Sequence, residues 1–378
     1  MALNQVGLER LNTATTDKLG IRKNKIINGG MTVSQRHTST TNSNAFVVDR
    51  FQAQVTQMDE LAQTLEQSSD APDGFGKSIK ITTTTPESSI ASNEQFRIQT
   101  KLEGQDFQDL AYGTSAAKTI TISFYVKASI TGTFGFTVYR EDSTDRVITA
   151  PYTINSANTW ERKTITITGD TAGPAITNDN TERFRLMWGL ASGSQFNTAS
   201  PSWSNYSSAN LLGGHVTNTL VTTNNATWQL TGVQLEVGSV ATDFEHRSMH
   251  TETLLCKRYF NNFGATTATG TSATYMLIAG GYARFGSANS IALQRIFYDV
   301  EMRANPTITY GRNSTNDDNN VMRWSSAGTN PVVLLGSQEG SNKCGFNLTR
   351  YNSDAGQTYN DGDYYAHQIS KFTANAEL

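Results

Sequence analysis

Phe196, Trp203 and Tyr206 stand among Asn197, Ser204 and Asn205 in the stretch SGSQFNTASPSWSNYSSANLLGGHVTN, residues 192–218, which is too long and too polar for a tight hairpin. Aromatic rings set among amides have one obvious chemistry. A ring can cover the apolar face of a pyranose while amides and carboxylates bond its hydroxyls. The alternative is that Trp203 and Tyr206 pin the loop against the body of the domain or against a neighbouring subunit. Two stretches nearer the C-terminus, RNSTNDDNNVMRWSS and NSDAGQTYNDGDYYAH, carry the same mixture. They place Trp324, Tyr359, Asp361, Asp363, Tyr364 and Tyr365 in the composition of an adaptable recognition surface. Solvated turns and subunit packing are the alternative there. Trp160, Trp188 and Trp228 lie inside strand-like text and are expected in the core.

Catalytic chemistry has weaker support. Hydrolysis of a glycosidic bond needs two carboxyl groups roughly 5–9.5 Å apart, and the carboxylates of this chain are scattered. His37, His215, His246, His250 and His367 form no HExxH or other metal spacing, and no G-x-S-x-G elbow occurs. Gly169, Asp170 and Thr171 resemble the start of a GDS block, but Thr stands where the nucleophilic Ser would be. Asp317 and Asp318 offer oxygens without the ordered spacing of a calcium loop. The expectation is no catalysis, no cofactor and no metal. Cys256 and Cys344 are far apart and are expected as buried free thiols.

The elements that must position these residues are strands. Only 37% of the chain is apolar and 17% charged, yet aromatics reach 10% and the net charge is only −3, which separates it from a disordered chain. No basic cluster is long enough to track a phosphate backbone, so nucleic acid is not expected as a partner. KSIKITTT, KTITISFYVKAS, GTFGFTVYR, ERKTITITG, ERFRLMWGLAS and ATWQLTGVQLEVG are short, alternating and bounded by Gly, Asn, Asp or Ser. In KTITISFYV, Ile120, Ile122, Phe124 and Val126 share one face, expected as core, opposite Thr119, Thr121 and Ser123, whose face can be wet. Such strands build a sandwich. Residues 57–68 read as a helix by propensity, with Met58, Leu61 and Leu65 at helical spacing. Ser248 is placed to cap a short helix, and strand text resumes after it in ATYMLIAGGYARF, SIALQRIFYDVEM and CGFNLTRYN. Residues 1–25 hold too few aliphatics, Val6, Leu8, Leu11, Leu19 and Ile21, to build a core. They have neither a basic region followed by an apolar core nor, like the rest of the chain, a run of about 18 apolar residues. Synthesis in the cytoplasm and no membrane insertion are expected.

KIINGGMTVSQR, VDRF, KTITISFYVKA, YTINSANTWERKTITITGDTAG, GVQLEVGSVATDFEHRSMHTETLLCKRYF and a terminal FTANAEL, in that order, resemble phage and prophage tail-fibre proteins of marine and cyanobacterial type. The resemblance is strongest over residues 25–263. It implies a central jelly-roll module similar to carbohydrate-binding modules, closed by GVQLEVG and the following ATDFE, and a strand rather than a helix within residues 57–68. The expected organisation is a virion-attachment segment at 1–25, a jelly-roll β-sandwich at 26–247, a linker at 248–260 and a second, host-facing β-sandwich at 261–378. Fibres of this kind are homotrimers that contact tail or adaptor proteins through the N-terminus and host surface polysaccharide at the far end. The implied role is adhesion within the virion, assembled in the host cytoplasm. A head fibre or a tail appendage without receptor binding is the alternative, and a glycan hydrolase a lesser one, since depolymerising spikes tend to be long β-helices.

Overall fold

The computed structural model describes residues 23–41, 44–264, 276–282, 284–286, 290–311, 320–325, 328–333, 343–351, 364–369 and 371–378. The chain divides into two units, one of residues up to Ser34, 38–252 and Leu378, the other of residues 35–37 and 253–377. The division falls within the helix that Ser248 caps, where the Thr251 amide donates to Ser248 Oγ at 3.2 Å.

Two antiparallel sheets make the first unit. One has the order β1 (Ser39–Thr40), β4 (Ala62–Ser68), β5 (Ser78–Thr85), β15 (Thr227–Val237), β7 (Ile120–Ala128) and β12 (Glu161–Ile167). The other has the order β14 (Ser204–Asn205), β10 (Arg146–Thr149), β9 (Phe136–Arg140), β13 (Glu182–Ser192), β6 (Gln95–Glu103), β3 (Phe51–Thr56) and β2 (Phe46–Val48). A short ribbon pairs β8 (Gly132–Phe134) with β11 (Tyr152–Ile154). Alternation decides which side chains meet between the sheets. Ile120, Ile122, Phe124 and Val126 are fully buried, and so are Phe96, Ile98, Phe184, Leu186 and Trp188 from the facing sheet. Phe124 and Trp188 meet edge to face across the gap, 5.8 Å between ring centres. Trp228 is buried too, and its indole donates to the Tyr152 hydroxyl at 3.2 Å.

Three expectations are corrected. Trp160 is half-buried rather than in the core, because it precedes the edge strand β12 and lies beside Lys127, whose ammonium sits 5.2 Å from the ring centre. Cys344 is exposed, while Cys256 is buried as expected. Thr121 and Ser123 do not face open solvent. The chain leaving β15 turns back over them, and Thr121 Oγ1 donates to the Gly238 carbonyl at 2.8 Å.

Within residues 57–68 the strand prevails over the helix that propensity favoured. Strand β4 finds partners on both sides, β1 and β5, and Leu65 enters the core, so pairing and burial override local preference.

The N-terminal segment and the chain after β15 lock together. The Lys23 and Asn24 amides both donate to Glu245 Oε2 at 2.8 Å, and Arg247 pairs with Glu245 at 2.9 Å and Glu252 at 2.8 Å. Gly29 allows the close approach, since a Cβ there would lie 2.1 Å from the Val233 carbonyl oxygen. The segments GVQLEVG and ATDFE thus do close the sandwich.

Helix α1 (Thr219–Thr222) belongs to this unit, and α2 (Met249–Lys257) crosses to the second. Among its described residues the second unit is also antiparallel β, in three sheets. They are β16 (Phe260–Gly264), β25 (Lys371–Asn375) and β20 (Thr307–Gly311); β17 (Met276–Tyr282), β24 (Tyr364–Ile369), β21 (Asn320–Ser325) and β22 (Gly328–Val333); and β18 (Arg284–Gly286), β19 (Ser290–Phe297) and β23 (Gly345–Tyr351).

Candidate functional site

Alternation that sends Phe96, Ile98 and Leu102 inward sends Gln95, Arg97, Gln99 and Lys101 to the outer face of the seven-stranded sheet. On the neighbouring β3 it does the same for Gln52 and Gln54, and the register sets Gln52 opposite Gln99 and Gln54 opposite Arg97. Like-sided residues of paired strands therefore form a cross-strand cluster.

Arg97 is its centre. Its Nε donates to Gln99 Oε1 at 3.0 Å, one Nη to Gln54 Oε1 at 2.6 Å and the other Nη to Gln95 Oε1. Gln99 in turn donates to Gln52 Oε1 at 2.9 Å. Burial, and then the nearby Arg185 charge, push the Arg97 guanidinium down to about 10. Each glutamine accepts through its carbonyl oxygen and so turns its NH2 away from the cation. Among the described residues the NH2 groups of Gln52, Gln54 and Gln95 donate to nothing, and these nitrogens reach solvent. The strip is a row of oriented donors. On its margin Lys101 and Arg185 share Glu182, at 2.9 and 2.5 Å.

Aromatic residues close one end. Tyr139 lies on the same outer face, with the Arg185 guanidinium 5.0 Å from its ring centre. Tyr206 meets Tyr139 edge to face at 5.1 Å. The loop of residues 193–218 folds over this end, and Leu211 and Leu212 pack on Tyr139 and Met187 with Phe196 and Tyr206 against them. Thr137 Oγ1 holds the loop through the Leu211 carbonyl at 2.9 Å. His215 anchors it from beneath, accepting the Gly135 amide on Nδ1 at 3.0 Å. Burial drives the His215 imidazole down to about 4, and it stays neutral. Tyr139 is pushed up by burial and by its hydrogen bond to Asp145, so it remains a neutral phenol.

The sequence candidates divide accordingly. Phe196 and Tyr206 are brought to the strip, half-buried. Trp203 is turned the other way. It packs on the main core, meets Tyr112 edge to face at 5.8 Å, and its indole donates to the Thr168 carbonyl at 2.8 Å, which is the pinning arrangement. Asn205 is exposed on the edge strand β14 and accepts from Arg146 at 2.8 Å. Trp324 and Tyr364 are register partners on β21 and β24, with Tyr365 opposite Arg323. Tyr359, Asp361, Asp363, Asp317 and Asp318, and the attachment candidates Val6, Leu8, Leu11, Leu19 and Ile21, lie outside the described residues.

Asp170 of the GDTAG segment follows β12, with both carboxylate oxygens engaged. Arg140 takes one oxygen, and Arg146 takes both, at 3.1 and 3.2 Å, in a pocket where Asp170 and Arg140 are each 1% exposed. This is a buried ion-pair hub, with no free lone pair facing a substrate.

The glutamines and Arg97 escaped the sequence reading. The signal was present in FQAQVT and QFRIQTK, where long amides and a guanidinium, rather than Thr or Ser, occupy the alternate positions.

No family model matches the chain, and no curated protein sequence matches it. Solved structures give distant likenesses over somewhat more than half of the chain. The enzymatically active domain of tailspike protein 4 of bacteriophage CBA120 aligns with 57% of this chain at 10% identity and a TM-score of 0.31, and the match spans only 21% of that domain. A putative sugar binding protein from Bacteroides thetaiotaomicron aligns over its whole length with 57% of this chain, at 11% identity and a TM-score of 0.31. The family 11 carbohydrate-binding module of a Clostridium thermocellum cellulosomal cellulase covers 56% of this chain with 98% of its own length, at 10% identity and a TM-score of 0.27.

Proposed function

We propose that this chain is a non-catalytic glycan-binding component of a tailed-phage fibre, and that sugar docks on the strip of Gln52, Gln54, Gln95, Arg97 and Gln99 beside Tyr139 and Tyr206. One observation carries the reading. A buried guanidinium holds three amides by their oxygens, and through Gln99 a fourth, and leaves the NH2 groups of Gln52, Gln54 and Gln95 without a protein acceptor beside two aromatic rings. Oriented amides and a ring edge are what a saccharide hydroxyl array needs. Placement in a virion, the homotrimer, docking through residues 1–25 and a host-facing second unit rest on the sequence resemblance. Repetition of a weak site in a trimer would raise avidity without any new contact.

Titration calorimetry of the full chain with host envelope polysaccharide tests this. The double variant Gln52→Ala, Gln54→Ala alters half-buried side chains at the margin of the strip. It should weaken binding at least about tenfold, the worth of one or two hydrogen bonds. Binding that survives the double variant unchanged refutes the site, and a wild-type chain that takes up no envelope glycan is a structural appendage instead.

A further inference from the structure

Two loops at another part of the first unit bring together acidic residues that the glycan reading does not use. Asp59 stands between β3 and β4, and Glu87 and Glu94 stand between β5 and β6. One carboxylate oxygen from each lies within 4.8 Å of the others. Glu94 is 6% exposed and Glu87 only 3%, while Asp59 is open to solvent. Glu60 adds a further negative charge nearby, with one oxygen accepting the Ser88 amide at 2.9 Å.

Acidic clusters at a surface are common and need no ion. Glu87 is different, because its Oε2 is buried and has no hydrogen-bond donor. Its chain position is fixed from both sides: its amide donates to the Val221 carbonyl on α1 at 2.9 Å, and its carboxylate accepts the Leu61 amide. A buried carboxylate oxygen without a donor is costly, and neighbouring carboxylates add repulsion. A cation removes both penalties at once.

We propose that Asp59, Glu87 and Glu94 bind a calcium ion. The donors are all carboxylate oxygens, with no imidazole or thiolate among them, which selects a hard cation over zinc or copper. Calcium is favoured over magnesium because carboxylates brought in from two separate loops suit its flexible shell of six to eight oxygens better than the near-ideal octahedron that magnesium demands. Water and further oxygens of the two loops would complete the shell. The ion would tie the β3–β4 loop to the loop that leads through Glu94 directly into Gln95 and β6. The proposal is independent of the glycan reading and stands or falls by itself.

The test uses the full chain, stripped with a chelator and titrated with calcium chloride and separately with magnesium chloride. Calcium at a hundredfold excess over its Kd should raise Tm by roughly 5–10 °C, and magnesium by much less. Glu87→Gln should abolish the calcium response, and without calcium it should melt no lower than the chelated wild type, since it relieves a buried charge. Asp59→Asn alters an exposed residue and should fold normally while weakening calcium binding at least about tenfold. No heat and no Tm shift in the wild type at calcium up to about 10 mM overturns the proposal. So does a response that both variants retain, and an equal response to magnesium overturns the assignment to calcium.

Discussion

The two outer faces of the sandwich are built from the same strand alternation and differ in the charge at their centre. On the six-stranded sheet the hub is an anion. Asp70 accepts from Lys127, from Gln229 at 3.0 Å and from the Trp160 indole at 3.3 Å, so donors converge on it. Part of that face is also covered, where Phe75 and Phe244 meet at 5.0 Å over Tyr125 and Gly232. On the seven-stranded sheet the hub is a cation, Arg97, which takes the acceptor ends of its neighbours and turns their donor ends outward. An anionic hub closes a face by consuming its N–H groups. A cationic hub surrounded by amides leaves N–H groups available for an outside acceptor, and that is why the second face, rather than the one bearing a half-exposed Trp160, is the better docking surface.

Acid should separate the two faces most strongly. His215, under the loop that caps the end of the Arg97 strip, sits at about 4 instead of 6.5 because it is buried. A base whose folded pKa is depressed contributes its full stability above the unfolded value and loses it as pH falls towards the folded value. The window runs from pH 6.5 down to about 4, and the loss there is roughly 3 kcal/mol. Asp70 on the other face is lowered from its ordinary 3.8, burial being outweighed by Lys127, Gln229 and Trp160, so that hub keeps its charge through the whole window. Urea unfolding across this pH range should show the fall, and His215→Gln should flatten it. Amide exchange at Gly135 and Leu212 should rise before exchange around Gln229 does. Equal loosening of both faces, or no change in stability over the window, would remove the distinction.

Much of the scaffold was legible in the sequence, because a period of two, repeated with turn residues between, permits few alternatives. The strand text that carries Trp188 and Trp228 places both in the core, where the structure has them. The strip was not legible for a physical reason. Gln52 and Gln99 are separated by 47 positions, and nothing within either strand says which partner it will take. Only the β3–β6 register converts isolated glutamines into a network around one guanidinium. Trp160 misled for the converse reason. Its neighbours alternate as a strand should, but strand text does not reveal that β12 lies at the sheet's edge, where a ring next to the strand end stays half-exposed.

Replacing the cationic hub sharpens the comparison next. Arg97→Met keeps an unbranched stem on the outer face but removes the guanidinium donors that orient Gln54, Gln95 and Gln99. Stability should move little in either direction, within about 1 kcal/mol, because desolvation of a buried charge offsets much of what its hydrogen bonds contribute. Glycan affinity should fall at least about tenfold, since the amides must be ordered anew on binding. Calorimetry and urea unfolding on the same protein separate the two effects. Intact affinity with intact stability would mean that the network is structural and the sugar lies elsewhere.

The smallest effect is expected from the matching change at the anionic hub. Asp70→Asn retains one acceptor oxygen but cannot serve Lys127, Gln229 and Trp160 together, because its NH2 faces donors where an oxygen stood. The Asp70 side chain is 46% exposed, so solvent screens its pair with Lys127, and the cost should stay below about 1 kcal/mol. Glycan binding should be unchanged, because Asp70 lies on the other sheet's outer face from the Arg97 strip. Trp160→Ala should behave likewise in binding, although it removes the most conspicuous ring on that surface. Affinity lost in either variant, with the Gln52→Ala, Gln54→Ala protein still binding, would invert the assignment. The sugar would then stack on Trp160, and the hub that accepts hydrogen bonds, rather than the one that displays donors, would be the receptive one.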